Sequence, residues 1–255
     1  MVPRLFQGGF SMRFSFAAVL LLGLGTTFAA AQSAHWEYQG HEGPFNWGKL
    51  DPAYKACGDG HEQSPIDIRG AKLNKALQPI EFHYMATSMK LENNGHTIVV
   101  YPKPGSYIVA GGVRYDLKQF HFHRPSEEAV GGKLTDMDVH LVHEDASGKL
   151  AVIAVRLIEN RDAPNATLAA LWQALPKESG KTSNVEAMVN PAGLLPANHG
   201  YWTYMGSLTT PPCTEGVHWF VMVDEVTLSR DQLHDFTTLY RLNSRPLQDR
   251  NGRRI

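Results

Sequence analysis

The segment Val113-Arg-Tyr-Asp-Leu-Lys-Gln-Phe-His-Phe-His123 decides how the rest of the chain is read. It alternates, and successive side chains of a β-strand project to opposite faces. Val113, Tyr115, Leu117, Gln119, His121 and His123 are therefore expected on one face, with Phe120 and Phe122 on the other. Two imidazoles about 7 Å apart along a strand can share one metal ion. The plain alternative is a pair of solvent-facing histidines on an edge strand.

A third histidine bears on that choice. His140 sits in Asp138-Val-His-Leu-Val142, a second alternating segment whose distance from His123 suits an adjacent antiparallel strand. His143, three residues on, should face the opposite way. Three imidazoles from two strands would leave a fourth tetrahedral position open, the arrangement of a catalytic rather than a structural zinc site. Copper or nickel would accept the same ligands, and zinc is favoured because nothing else in the sequence suggests redox work.

Further along, Leu150 to Ile158 has the near-continuous apolarity of a buried strand, and His218 to Val226 reads as another after the Pro211-Pro212 break. Two helices are expected. Leu168, Leu171, Trp172 and Leu175 follow helical spacing up to Pro176, and Asn165 should cap that run. Ser229-Arg-Asp-Gln232 resembles a capping box opening a helix with Leu233, Phe236 and Tyr240 on one face. No linker-like stretch splits the chain. The expected fold is one mainly β domain of the α+β class with a few short helices.

The 255 residues are 43% hydrophobic and 19% charged, too apolar for a disordered chain. A formal net charge of -1 lacks the basic excess of a nucleic-acid binder. Residues 1–31 read as a signal peptide: Arg4 and Arg13, then an apolar core from Phe16 to Leu24, then Ala29-Ala30-Ala31 as a peptidase site. Met12 is an alternative start. Cleavage after Ala31 would leave 32–255 as the catalytic domain, without a membrane span and exported to the periplasm or secreted. In such an oxidising compartment Cys57 and Cys213, the only two cysteines, read as one disulfide.

Over nearly the whole of 32–255 the chain resembles the alpha-class carbonic anhydrases of the secreted bacterial type. The resemblance is carried by Trp36-Glu-Tyr38, Gln63-Ser-Pro-Ile-Asp-Ile68, Asn93-Asn-Gly-His96, Gln119-Phe-His-Phe-His123, Pro125-Ser-Glu127, His140-Leu-Val-His143 and Ser207-Leu-Thr-Thr-Pro-Pro-Cys-Thr214 running into Trp219. It implies a large, twisted, mostly antiparallel central sheet. It also implies reversible hydration of carbon dioxide to bicarbonate and a proton by zinc-bound hydroxide.

By the same resemblance His121, His123 and His140 are the Zn2+ ligands, with Gln119 and Asp138 at the positions behind the first and third. Thr209 orients the hydroxide and donates to Glu127. Val142, Val152, Leu208 and Trp219 form the apolar wall for carbon dioxide, and His96 is the proton shuttle. Without the resemblance, Thr209 would read as a turn residue, Glu127 as a loop carboxylate, the four apolar residues as core, and His96 as a turn histidine. Two positions depart from the family. Asp138 stands where glutamate is usual and is expected to reach His140 only through water or a backbone adjustment. Glu128 replaces a histidine that often follows Glu127. The competing reading from another class is a catalytically silent carbonic-anhydrase-related binding protein, which usually lacks one of the three histidines.

Overall fold

In the computed structural model, which describes residues 1, 3 and 34–255, the alternating segment is one strand spanning all eleven of its residues. The expected signal peptide and its cleavage bond lie outside the described residues, apart from positions 1 and 3. The described residues from 34 onward belong to one compact unit.

The strands in chain order are β1 (Asp67–Ile68), β2 (Glu81–His83), β3 (Thr87–Asn93), β4 (Ile98–Pro102), β5 (Tyr107–Ala110), β6 (Val113–His123), β7 (Ala129–Val130), β8 (Met137–Glu144), β9 (Leu150–Glu159), β10 (Thr182–Val189), β11 (Tyr201–Ser207), β12 (Glu215–Met222) and β13 (Val226–Leu228). The α-helices are short: α1 (Trp47–Leu50), α2 (Ala56–Asp59), α3 (Ala166–Trp172) and α4 (Arg230–Leu239). Among the described residues, eleven strands make one sheet whose main path is β10-β3-β4-β6-β8-β9-β12-β11. It is antiparallel except where β12 and β13 join β9 in parallel. β1 and β7 pair separately.

The central strands are buried on both faces, and their alternation sorts two apolar layers. Val139 and Leu141 of β8, Ile153 and Val155 of β9 and Phe220 of β12 face one side, where they pack with Leu168, Trp172 and Phe236 of α3 and α4. Val142, Val152 and Trp219 face the other side and pack with Ile66 and Tyr204. Asn165 caps α3 by accepting from the Leu168 amide at 3.0 Å. Both reciprocal bonds of the Ser229–Gln232 capping box are formed at α4.

Three local expectations are corrected. In β6, Leu117 pairs with His143 but Gln119 pairs with Val142, so one extra residue bulges out at Lys118. A bulge reverses the alternation beyond it. Tyr115 and Leu117 consequently lie in the same apolar layer as Phe120 and Phe122, not on the histidine face. The single strand expected over His218 to Val226 is two strands, because β12 and β13 both pair with β9 at registers two residues apart. The looped-out residues are anchored by Arg156, which donates to the Val223 carbonyl at 2.7 Å and pairs with Glu225 at 2.6 Å. Helix α3 ends at Trp172, so Leu175 packs on the core from beyond the helix.

Candidate metal centre

Strands β6 and β8 set His121 directly opposite His140, and His123 opposite Asp138. Directly opposed residues share a face of the sheet, so all four side chains gather there. The imidazole centroids lie 4.9 Å (His121–His123), 5.5 Å (His121–His140) and 4.6 Å (His123–His140) apart. His143 faces away as expected and is held by the Tyr84 hydroxyl, 2.8 Å from its Nε2.

Each of the three rings has one nitrogen engaged and the other free. Nδ1 of His121 is 2.8 Å from Gln119 Oε1. Nδ1 of His123 is 2.8 Å from the Asn243 carbonyl, and its Nε2 is buried with no hydrogen-bond partner. Nε2 of His140 lies 3.2 Å from Asp138 Oδ2 and 3.3 Å from Glu128 Oε2. The carboxylate of Asp138 thus contacts His140 directly, with no intervening water needed. One nitrogen from each ring can be chosen so that all three lie within 4.8 Å of one another.

This donor set suits a dipositive metal. Burial and the neighbouring imidazoles push His121 well below the ordinary histidine value, and burial with His140 brings His123 down to about 4. Both rings are therefore neutral near pH 7, the form that ligates. Burial would also lower His140, but the negative charges of Asp138 and Glu128 win and hold it well above its usual value. The same charge that favours a proton on that ring favours a cation bound to its free nitrogen. The orphaned Nε2 of His123 is the plainest mark of a missing partner.

Glu127 is fully buried beside the trio, its Oε2 3.6 Å from His123 Nε2. Burial is the main cause of its carboxyl pKa rising to about 8; His140 opposes this, Asp138 adds to it, and the Arg245 amide and Thr209 hydroxyl oppose it, as would a cation held by the trio, which favours the ionised form. The Arg245 amide donates to Oε1 at 2.7 Å, while Oε2 has no hydrogen bond of good geometry. Thr209 is buried in the loop after β11, which is closed by Leu208 N to Thr214 O at 2.9 Å and Cys213 N to Thr210 O at 2.8 Å. Trp219 stands edge-on to His140, centroids 4.9 Å apart. Val142, Val152 and Leu208 belong to the apolar layer around it. His96 is placed differently from the rest: its ring stacks on Trp36 at 3.8 Å, with Nε2 2.9 Å from the Trp36 carbonyl.

A match runs through residues 42–255 to the family described as eukaryotic-type carbonic anhydrase. The carbonic anhydrase of Pectobacterium carotovorum is 38% identical over 245 residues, covering 96% of this chain and 99% of that protein. That of Klebsiella pneumoniae is 40% identical over 245 residues, covering 95% and 98%. The chain belongs to the alpha-class carbonic anhydrases. A solved alpha-carbonic anhydrase from Thermovibrio ammonificans, in complex with the inhibitor sulfanilamide, is 41% identical with a TM-score of 0.84 over 88% of this chain and 99% of that one. The mixed central sheet of this carbonic anhydrase is thus the fold of its family, and it is an enzyme of that family, whose shared activity is carbon dioxide hydration.

The sequence did not single out every residue that builds this carbonic anhydrase's centre. Asn243 receives His123 on its carbonyl, and its side chain accepts from the Arg124 amide and donates to the Phe122 carbonyl. Arg245 holds Glu127 through its amide and spans from Gln63 to the Cys57 carbonyl through its guanidinium. Both lie more than a hundred residues from the groups they hold, so no local pattern marks them. Glu128 stood out in sequence only as a departure, and its contact with His140 is what the structure adds.

Proposed function

We propose that this carbonic anhydrase hydrates carbon dioxide reversibly through a Zn2+ ion held by Nε2 of His121, Nε2 of His123 and Nδ1 of His140. The observation that carries the reading is that these are the nitrogens left over once each ring has made its hydrogen bond, His140 to Glu128 among them, and that His123 Nε2 is buried and unpartnered. Zinc bound by three neutral imidazoles brings the pKa of a bound water to about 7, a value that belongs to the general behaviour of carbonic anhydrases, and so makes a nucleophile available at neutral pH. The two cysteines, joined as a disulfide, are not candidates for a fourth ligand.

The chain's own residues do the rest. Thr209 donates its hydroxyl proton to Glu127 and so turns a lone pair toward the site. An oxygen nucleophile supplied at the centre would give its hydrogen to Thr209, which would leave a lone pair aimed at the substrate. Val142, Val152, Leu208 and Trp219 offer an apolar wall to a substrate with no charge and little hydrogen-bonding capacity. His96 carries the product proton to solvent, an imidazole being able to accept and release it near neutrality. To do so, its ring must swing off Trp36 between the centre and solvent.

Residues 1–31 act as an export signal and 32–255 as the catalytic domain, working in the periplasm or outside the cell. The N-terminal pattern and the Cys57–Cys213 disulfide support this. Mass analysis of the protein recovered from the exported fraction should place the new N-terminus at position 32. Stopped-flow carbon dioxide hydration, before zinc removal, after it and after zinc is restored, tests the main reading. Activity that vanishes and returns with the metal supports it, and a folded, zinc-loaded protein without activity would establish the silent binding protein instead.

A further inference from the structure

We propose that Glu128 is a second positioning residue for the third metal ligand, accepting the single Nε2–H of His140 beside the charge of Asp138. This rests on the zinc reading above. With Nδ1 on the metal, His140 has one ring hydrogen to give: Glu128 Oε2, at 3.3 Å, receives it with hydrogen-bond geometry, while Asp138 Oδ2 lies 3.2 Å away as an ion-pair contact without that geometry. The aspartate is already committed. Its Oδ2 also accepts the Glu127 amide at 2.7 Å, and its Oδ1 is buried without a partner.

Glu128 is wholly buried, and burial of a carboxylate is costly unless polar partners compensate it. Among the described residues its side-chain oxygens meet two such groups: Oε2 faces His140, and Oε1 lies 3.3 Å from the Tyr204 hydroxyl, which is itself 3.2 Å from Ser64 Oγ. Tyr204 thus holds the far end of Glu128 while the near end holds the ring. Aspartate, one methylene shorter than glutamate, is drawn toward the Glu127 amide, and Glu128 supplies the acceptor that a longer carboxylate would have supplied alone. Acceptors behind a metal-bound imidazole fix its orientation and raise its basicity, so their loss shows as faster metal release.

The test uses the full-length zinc protein, with release followed by a chromophoric chelator and ligand geometry by the visible spectrum of the cobalt-substituted form. Glu128→Gln removes the charge at nearly constant shape and should release zinc roughly 10–100-fold faster, with altered cobalt bands. Adding Asp138→Glu to that variant should return release toward the wild-type rate. In Asp138→Asn, Glu128 remains as the charged acceptor, so zinc should be retained with release accelerated less than about tenfold. Wild-type release and an unchanged cobalt spectrum in Glu128→Gln would overturn the proposal, as would failure of rescue or complete loss of zinc from Asp138→Asn. A wild-type protein that holds no zinc would instead overturn the zinc reading, and this inference with it.

Discussion

At the scale of single residues, two buried groups make contrasting predictions. Thr209 contributes one hydroxyl beside the Glu127 carboxyl, and the role proposed for it is orientation. Thr209→Ala should lower kcat/KM about 100-fold while leaving zinc stoichiometry at the wild-type level; an unchanged rate would remove Thr209 from the mechanism. His143 contributes to stability instead. Burial holds its pKa down at about 4, below the ordinary value, so between roughly pH 4 and 6.5 the unfolded chain binds a proton that the folded chain refuses. Its stabilising contribution is full above that window and falls by up to about 3 kcal/mol as pH drops through it. Denaturant unfolding at pH 7 and pH 4 should show a shallower loss in His143→Phe than in the wild type. The position of His143 on the far face from His140 follows from spacing alone, but its partner Tyr84 comes from another segment and leaves no mark in the local sequence.

At the scale of elements, the Ser229–Gln232 box was readable because a cap and its N3 partner are local chemistry. Its wider role was not. The Gln232 side chain also bonds reciprocally with the backbone of Asn165, accepting at 3.0 Å and donating at 2.7 Å, so the residue that caps α4 also ties it to the start of α3. Ser229→Ala should cost about 1 kcal/mol, the loss of a cap. Gln232→Ala should cost about 2–3 kcal/mol, because it also leaves buried backbone groups of Asn165 unpaired. Equal losses in thermal or denaturant unfolding would show that the link between the helices carries no energy. Strand β6 shows the opposite limit. Its extent matches the alternating segment to the residue, yet the bulge at Lys118 sends Tyr115 and Leu117 to the other layer. Alternation holds within a pairing register, and the register is chosen by the partner strand β8.

At the scale of the whole molecule, the Cys57–Cys213 disulfide joins α2 to the loop that carries Thr209, across a separation of 156 residues. Closing so long a loop contributes up to about 5 kcal/mol by chain entropy. The disulfide also sits within the site's scaffold: Gln63 donates to the Cys213 carbonyl at 3.0 Å, and Arg245, whose amide holds Glu127, donates to the Cys57 carbonyl at 3.0 Å. The double variant Cys57→Ser/Cys213→Ser should therefore unfold about 2–5 kcal/mol more easily and lose activity before it unfolds globally, as rate and far-UV signal measured along one denaturant series would show. An unchanged midpoint would remove the disulfide from the stability of the fold.

By itself the sequence determined the β-rich class, the projection of Gln119, His121 and His123 from one face of a strand, and the cysteine pair. Period-two projection, cap chemistry and cysteine arithmetic act over a few residues or follow from composition. The tertiary structure decided which ring nitrogens remain free, that Asn243, Arg245 and Glu128 contact the centre, and that the run from β12 to β13 is broken. Those outcomes depend on which distant segments meet and in what register, and packing of the two apolar layers sets that.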